Sequence, residues 1–194
     1  FCFQLQIDFY CSKLFILDKD GALIDEIEEI CDWFVDQPLR QISNNYYFYI
    51  LQHQPSDLYY AKTIKDKPIN LTQGRFPVLR SELSPDKQKV VFYSLDPSTN
   101  MASVHLLNLS IPDKVTSLAS FQLYYFEKDP PHEEYLYEHF LTLSWSQDSQ
   151  WIYFVTRDTY KRFMIYRAKA DGTGMELLSD PKSSSFGSMI SPDG

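Results

Sequence analysis

Serine recurs at similar places in this sequence, and it is the first candidate for a catalytic nucleophile. Ser84, Ser146 and Ser191 each begin a similar turn. A serine hydrolase of the G-x-S-x-G type carries its nucleophile once, between a strand and a helix, and no such motif occurs here. A residue type that recurs at equivalent places indicates a structural role. We therefore predict that these serines form turns and that the chain contains no catalytic residue.

The segment from His132 begins like a zinc-binding helix. In the H-E-x-x-H motif, two histidines four residues apart hold the metal on one face of a helix. His132 and Glu133 fit the first half, but Leu136 stands where the second histidine is needed, and His139 comes too late. Because this spacing fails, we predict no metal site here.

Asp18-Lys19-Asp20-Gly21 is similar to part of a calcium-binding loop, whose sixth residue is glycine. If Gly21 takes that place, Ile16 and Ile27 occupy the first and last positions, where oxygen ligands must bind the ion. The sequence also contains neither G-x-G-x-x-G nor a P-loop. We predict no cofactor.

Two asparagines stand in the N-x-[ST] triplet that accepts N-linked glycans, in Asn70-Leu71-Thr72 and Asn108-Leu109-Ser110. The triplet has this meaning only in a eukaryotic secretory pathway. Cys2, Cys11 and Cys31 are odd in number and lack C-x-x-C spacing. They therefore predict neither a disulfide framework nor a zinc site. These residues leave the cellular compartment open.

The composition is that of a folded, acidic protein. Among 194 residues, 44% are hydrophobic and 16% aromatic, and 18 basic against 26 acidic side chains give a net charge of −8. Nucleic-acid-binding domains normally carry a basic patch, so we predict no nucleic-acid partner. No run reaches the roughly 18 apolar residues that a membrane span needs. Because the chain begins at Phe1 and ends on a turn signal, we expect a piece of a longer protein.

The elements that must position these residues are repeats of a turn and a strand. Ser84-Pro85-Asp86 leads into an aromatic and β-branched run at Val90, and Ser146-Gln147-Asp148 leads into one at Ile152. A weaker copy begins at Ser43, and Ser191-Pro192-Asp193-Gly194 begins a fourth. This order of residue types predicts a tight turn followed by a half-buried strand.

A second repeated segment consists of an extended run, a polar turn and another extended run. Residues 165–179, with Asp171-Gly172 in the turn, are the clearest copy. Residues 58–72 and 14–27 align with it without a gap, the latter placing Asp20-Gly21 on Asp171-Gly172, and residues 104–118 are a looser copy. Each copy predicts a hairpin, so one unit has four antiparallel strands. Such units must stack on neighbours to form a core.

The spacing of the turns predicts the fold class. The intervals are 41, 62 and 45 residues, and two of them match the blade of a β-propeller, about 40–45 residues long. The third contains an insertion. We predict an all-β fold, a partial β-propeller of about four four-stranded antiparallel blades that is truncated at the C-terminus. Residues 1–194 form one incomplete domain, with approximate units 1–30, 31–73, 74–119, 120–180 and 181–194.

One segment also fits a helix. Ile24, Ile27, Cys31 and Phe34 have helical spacing, with acidic residues between them. Residues 23–27 also match the second strand of an aligned hairpin. We therefore keep a short helix after residue 27 as an alternative.

Together, the Ser-Pro-Asp turn, the aromatic strand and the Asp-Gly hairpin resemble the repeat of the TolB family, a WD-like propeller repeat. The match is clearest over residues 144–194, good over 58–96 and weak before residue 58. Gln147 stands where the family prefers Pro, and Lys87 and Ser149 where it prefers Gly. The resemblance implies a protein-interaction scaffold in the periplasm or outside the cell.

The insertion, residues 121–140, is rich in acidic and aromatic residues. Loops that interrupt a repeat usually project from one rim of the fold, where partners bind. We predict a partner-contact loop formed by His132, Glu133, Glu134, Tyr135 and Tyr137. The alternative is an elongated hairpin that packs its own aromatic side chains.

For function, the sequence favours a non-enzymatic scaffold with a protein partner. The alternative is the N-terminal gating propeller of a prolyl-oligopeptidase-type serine peptidase, whose catalytic domain would lie outside this chain. A small ligand in a central channel is a third alternative, which the residues neither favour nor oppose.

Overall fold

In the computed structural model, the described residues form β-strands and the turns between them. The structure describes residues 2–8, 11–17, 23–31, 40–43, 46–51, 57–61, 69–96, 98–123 and 141–185, with side chains from residue 57 onward, Ala61 excepted. These residues contain fifteen strands in four antiparallel sheets, and no helix. The chain divides into two compact units, Phe1–Pro77 and Val78–Gly194. The prediction of an all-β, propeller-type fold is confirmed.

The first sheet has three strands in sequential order. They are β1 (Cys2–Asp8), β2 (Cys11–Leu17) and β3 (Leu23–Cys31). The helical alternative is wrong as far as Cys31, and residues 32–39 lie outside the described residues. The backbone of β3 pairs instead with β2, through two register shifts. Apolar residues at mixed spacing therefore fit a strand here, because such a shift changes the two-residue alternation.

The second sheet completes the first unit with four strands in sequential order. They are β4 (Arg40–Ser43), β5 (Tyr46–Leu51), β6 (Asp57–Ala61) and β7 (Ile69–Asn70). Aromatic residues dominate β5 and β6, as expected for strands on a half-buried surface. Leu58 of β6 and Leu71 after β7 are buried, so this hairpin contributes to a core.

The third and fourth sheets form the second unit, and each has four antiparallel strands in sequential order. The third contains β8 (Val78–Leu83), β9 (Lys89–Asp96), β10 (Met101–Asn108) and β11 (Ile111–Gln122). The fourth contains β12 (Leu143–Trp145), β13 (Trp151–Arg157), β14 (Phe163–Lys169) and β15 (Glu176–Leu177). Residues 124–140, between β11 and β12, lie outside the described residues.

The core of the second unit lies between these two sheets. Alternate residues of β9 and β10 meet alternate residues of β13, and the cluster includes Val91, Val104, Ile152 and Phe154, each fully buried. Burial of apolar surface contributes about 25 cal/mol per Å². One face of each sheet is therefore held against the other, as stacked units require.

Polar side chains join the same two sheets. The buried Tyr93 hydroxyl donates to the Val155 carbonyl at 2.6 Å and accepts from the Val155 N–H at 2.9 Å. The Trp145 Nε1–H donates to the Glu82 carbonyl at 3.1 Å. These directional bonds fix how the two sheets are aligned, which apolar contacts alone would leave adjustable.

Candidate functional site

The turns of the second unit lie at two ends, because successive hairpin turns of an antiparallel sheet lie at alternate ends of its strands. We call one the serine end: it carries the β8–β9 and β12–β13 turns, which begin at Ser84 and Ser146, and the β10–β11 and β14–β15 turns. We call the other the insertion end. It carries the β9–β10 turn, the β13–β14 turn and both attachments of residues 124–140.

The two serine turns have the same hydrogen bonds. In the first, the Ser84 hydroxyl donates to Asp86 Oδ1 at 2.6 Å and accepts from the Lys89 N–H at 3.0 Å. In the second, the Ser146 hydroxyl donates to Asp148 Oδ1 at 2.5 Å and accepts from the Trp151 N–H at 2.9 Å. Both serine side chains are buried. A hydroxyl engaged in this way is not available as a nucleophile.

Each serine turn also contains a residue in the left-handed region of backbone space. Lys87 has φ of 61° and Ser149 has φ of 58°, at the positions where the TolB repeat prefers glycine. The turns therefore retain the geometry without the glycine, at a cost in backbone strain. The Ser149 hydroxyl also accepts from the Asp86 N–H at 3.0 Å, which links the two turns. Hydrogen bonds from Ser146 Oγ and the Gln150 N–H lower the pKa of Asp148.

The other residues that the sequence predicts to form turns lie in different parts of the chain. Pro85 is exposed in the first serine turn. Asp171 and Gly172 form the β14–β15 turn, where Asp171 Oδ1 accepts from the Thr173 N–H at 2.8 Å and Gly172 has φ of 87°. The Thr173 hydroxyl lowers the pKa of Asp171. Outside the described residues lie Asp20, Gly21, Pro192, Asp193 and Gly194.

The predicted contact residues His132, Glu133, Glu134, Tyr135 and Tyr137 also lie outside the described residues, but the ends of their segment are fixed. Before it, the Leu123 N–H donates to the Asn100 carbonyl at 2.9 Å, and Gln122 Nε2 donates to the Thr99 carbonyl at 2.7 Å. After it, the Thr142 carbonyl lies 3.2 Å from the Tyr93 hydroxyl. The segment is therefore attached at the insertion end on both sides.

The β13–β14 turn at the insertion end carries an exposed aromatic side chain. Tyr160 is 78% exposed, the largest value among the exposed large apolar side chains of the described residues. The Arg162 guanidinium lies over its ring, 4.9 Å from the centroid. Arg162 is held in turn by Asp158, with Nη2 to Oδ2 at 2.6 Å. We call Asp158, Tyr160 and Arg162 the tyrosine cluster.

Two backbone N–H groups also bond within the tyrosine cluster. Asp158 Oδ1 accepts from the Tyr160 and Arg162 N–H groups, both at 2.9 Å. Burial raises the pKa of Asp158, but hydrogen bonds from the Arg162 N–H and guanidinium outweigh that effect and leave the pKa below its usual value. Asp158 is therefore ionised at neutral pH and holds Arg162 against the Tyr160 ring.

A buried pair in the third sheet resembles part of a catalytic triad. Ser94 Oγ and His105 Nε2 lie 2.8 Å apart, and the His105 ring packs on Phe92 with 5.0 Å between centroids. Both side chains of the pair are 6% exposed, so a substrate does not reach them. Burial lowers the pKa of His105 to about 4, so it is neutral at pH 7. The pair serves as an internal hydrogen bond.

Sequence reasoning missed the tyrosine cluster, the Tyr93 bonds and the Ser94–His105 pair. The cluster had a usable signal, since Asp158 to Arg162 is a polar stretch between two apolar runs. The other two join residues whose proximity depends on strand pairing and sheet packing. In the ranges with described side chains, no three His, Cys, Asp or Glu residues are grouped as metal ligands would be. The described residues also include no helix suited to crossing a membrane.

Comparison with known proteins supports the fold. No protein-family model matches the chain, and no curated protein matches it. TolB from Acinetobacter baumannii matches 92% of the chain at a TM-score of 0.51 and 14% identity. A protein assigned as TolB from Agrobacterium tumefaciens matches 95% at 0.51 and 17% identity. Tricorn protease matches 94% at 0.58 and 12% identity.

These matches cover only parts of the solved proteins. The chain spans 46% of the Acinetobacter protein, 60% of the Agrobacterium protein and 17% of tricorn protease. At such identities the similarity concerns the fold alone. Over the residues that the structure describes, the chain has the β-propeller fold of the TolB-like proteins.

Proposed function

We propose that this chain belongs to a protein-interaction scaffold and that its contact surface is the insertion end of the second unit. The observation that carries the proposal is Tyr160, 78% exposed and braced by Arg162. Tyrosine and arginine are enriched at binding hot spots, and here the two side chains stand together on one exposed turn.

The bracing of Tyr160 favours binding. A side chain that is already held loses less conformational entropy when a partner covers it. The Asp158–Arg162 ion pair and the two N–H bonds to Asp158 hold the turn in one conformation. Tyrosine adds contact area at a low entropy cost because only two side-chain torsions need to be fixed.

The predicted contact loop belongs to the same surface in this proposal. Its segment is attached at the insertion end, through Leu123 on one side and Leu141–Thr142 on the other. His132, Glu133, Glu134, Tyr135 and Tyr137 would then add acidic and aromatic contacts beside the tyrosine cluster. The serine end, by contrast, uses its hydroxyls and carboxylates within its own turns.

The test measures binding of the full-length protein to each partner isolated with it. We expect Tyr160→Ala to weaken binding at least about tenfold, the effect typical of a hot-spot residue. Tyr135→Ser combined with Tyr137→Ser should weaken the same complex. Met175→Ser is the control, because Met175 is 52% exposed and follows the β14–β15 turn at the serine end. Unchanged affinity of both tyrosine variants for every partner would refute the proposal.

The gating propeller of a serine peptidase is the second candidate, and the match to tricorn protease favours it. That match has the highest TM-score of the three reported, 0.58, and the matched protein is by name a protease. This candidate requires a G-x-S-x-G turn elsewhere in the full-length protein. Hydrolysis of short peptides by that protein, abolished by Ser→Ala in the motif, would support gating. Absence of the motif from the full-length sequence would refute it.

A further inference from the structure

We propose that Asn108 is the site at which this chain accepts an N-linked glycan when it passes through a compartment that performs this modification. We propose further that the fold excludes a glycan from Asn70. The two asparagines stand in triplets of the same type, so the sequence alone does not distinguish them. Both asparagines are half-buried, and the structure distinguishes them at the acceptor amide and at the hydroxyl residue of the triplet, which is buried in the first and exposed in the second.

The Asn70 amide is fully used by the fold. Its Nδ2 donates to Asp57 Oδ2 at 2.8 Å and to the Tyr59 hydroxyl at 3.2 Å. Its Oδ1 accepts from the Thr72 N–H at 3.0 Å and the Gln73 N–H at 2.7 Å. A glycan replaces one of the two hydrogens on Nδ2, so at least one of these donor bonds would be lost.

The hydroxyl of the first triplet is equally occupied. Thr72 is 0% exposed, and its hydroxyl donates to Asp57 Oδ1 at 2.6 Å and accepts from the Leu58 N–H at 2.9 Å. Ser179 occupies the aligned position of the fourth sheet and accepts from the Ile165 N–H at 3.1 Å. The Thr72 hydroxyl is therefore part of the repeated hairpin and not a free recognition group.

The second triplet forms the turn between β10 and β11. Asn108 Oδ1 accepts from the Ser110 N–H at 2.9 Å, and within the described residues no hydrogen bond engages Asn108 Nδ2. Ser110 is exposed, and the neighbouring Ile111 is 57% exposed. The acceptor nitrogen and the serine hydroxyl thus stand at a surface turn, where a bulky group can be attached without displacing a contact.

The modification is a group transfer from a lipid-diphosphate-linked oligosaccharide. Asn108 Nδ2 forms a bond to the anomeric carbon of the first sugar, and the bond between that carbon and the diphosphate oxygen breaks. The electron pair of the broken bond leaves with the lipid diphosphate, and Nδ2 loses one proton to a base of the transferase. No oxidation or reduction occurs.

The location of Asn108 is compatible with the proposed contact surface. Its turn lies at the serine end, where the Leu109 N–H donates to the Gln88 carbonyl at 2.9 Å. A glycan there leaves the insertion end uncovered. Failure of this proposal and failure of the proposed scaffold function are therefore distinguishable, because the two concern opposite ends of the second unit.

The test translates the full-length protein, preceded by a cleavable secretory leader, into eukaryotic microsomes. Chains that resist brief proteolysis are collected as the folded fraction. Enzymatic deglycosylation in ¹⁸O-labelled water converts each glycosylated asparagine into labelled aspartate, and mass spectrometry of peptides then reports Asn70 and Asn108 separately. Ser110→Ala is the matched variant, because it removes the triplet but retains the N–H that bonds Asn108 Oδ1.

We expect label at Asn108 and none at Asn70 in the folded fraction. Ser110→Ala should abolish the label at Asn108 and leave the yield of folded chain unchanged. Label at Asn70 in folded chains would overturn the exclusion. Absence of label at Asn108, or its restriction to protease-sensitive chains, would overturn the assignment of the acceptor.

Discussion

The two ends of the second unit differ in what their polar side chains do. At the serine end, Ser84 and Ser146 each donate to a carboxylate two residues later, and Ser149 links one turn to the next. At the insertion end, Asp158 and Arg162 also pair, but they hold an exposed tyrosine. Both ends use an aspartate within a turn, as Asp96 does in the β9–β10 turn, but the β13–β14 turn at the insertion end also holds a tyrosine in solvent.

This difference shows how a repeat and an irregularity divide their roles. The serine turns recur because the third and fourth sheets have the same connection between their first two strands. The β9–β10 turn repeats the aspartate of the tyrosine cluster, because Asp96 and Asp158 each accept from the N–H two residues later at 2.9 Å. It carries Ser98 where the cluster carries Tyr160, so the turn does not require the tyrosine side chain. Substitutions at the serine end should therefore lower stability, and substitutions at the exposed insertion end should affect binding.

The largest expected effect comes from Tyr93, which holds β13 beneath the insertion end. Tyr93→Phe leaves the Val155 carbonyl without its partner between the sheets, and the Val155 N–H keeps only its longer bond to the Thr142 carbonyl, at 3.3 Å. An unsatisfied buried polar group costs about 1–3 kcal/mol, so we expect a loss of about 2–3 kcal/mol in the free energy of unfolding, measured with denaturant.

Tyr166→Phe is the control for this substitution. Tyr166 stacks on Phe154, with 6.1 Å between ring centroids, and that stacking does not need the hydroxyl. We expect a loss below about 0.5 kcal/mol. Equal losses for the two variants would contradict the assignment of the Tyr93 hydroxyl as a bond between the sheets.

At the serine end, the next effect comes from Gly172 in the β14–β15 turn. Gly172 has φ of 87°, and a Cβ there would lie 3.1 Å from Thr116 Cγ2 of β11. Gly174 also has positive φ, but its Cβ would meet only Lys169, at 3.5 Å. We expect Gly172→Ala to lower the free energy of unfolding by about 2 kcal/mol and Gly174→Ala by about 1 kcal/mol. The reverse order in thermal unfolding would show that packing against Thr116 is unimportant.

Acid should lower the stability of the second unit through His105, which lies in the third sheet between the two ends. Burial lowers its pKa to about 4 from 6.5, so the unfolded chain binds a proton as pH falls below 6.5 while the folded chain does not until about pH 4. Stability is therefore lost across this window, by about 1 kcal/mol at pH 5.5. His105→Gln should reduce the change in unfolding free energy between pH 7.5 and 5.5 by that amount. An identical pH dependence in the variant would exclude His105 as the cause.

The hairpins could be predicted from the sequence because their chemistry is local and repeated. Residues 58–72 and 165–179 align without a gap, and the structure gives them the same bonds. The Leu71 N–H donates to the Leu58 carbonyl, and the Leu178 N–H donates to the Ile165 carbonyl, both at 2.8 Å. Turn residues and aromatic strands therefore suffice to predict an all-β propeller-type fold.

What could not be predicted depends on residues that are far apart in the sequence. Tyr93 and Val155 meet only after two sheets have packed, and nothing local to either residue indicates the partner. The helical alternative is wrong as far as Cys31 for a related reason, since the spacing of apolar residues in β3 includes register shifts set by pairing with β2. Likewise, the Tyr160–Arg162 contact depends on how Asp158 closes its turn.

The smallest stability effect, and the sharpest contrast between the ends, should come from Tyr160. Because its side chain is 78% exposed, Tyr160→Ala removes little buried surface, and we expect a change below about 0.5 kcal/mol in unfolding free energy. Ser84→Ala at the serine end should cost about 1 kcal/mol, since it removes the acceptor of the half-buried Lys89 N–H. Denaturant unfolding of both variants provides the comparison. A larger loss for Tyr160→Ala would mean that this tyrosine supports the fold, and the case for a contact surface at the insertion end would lose its main observation.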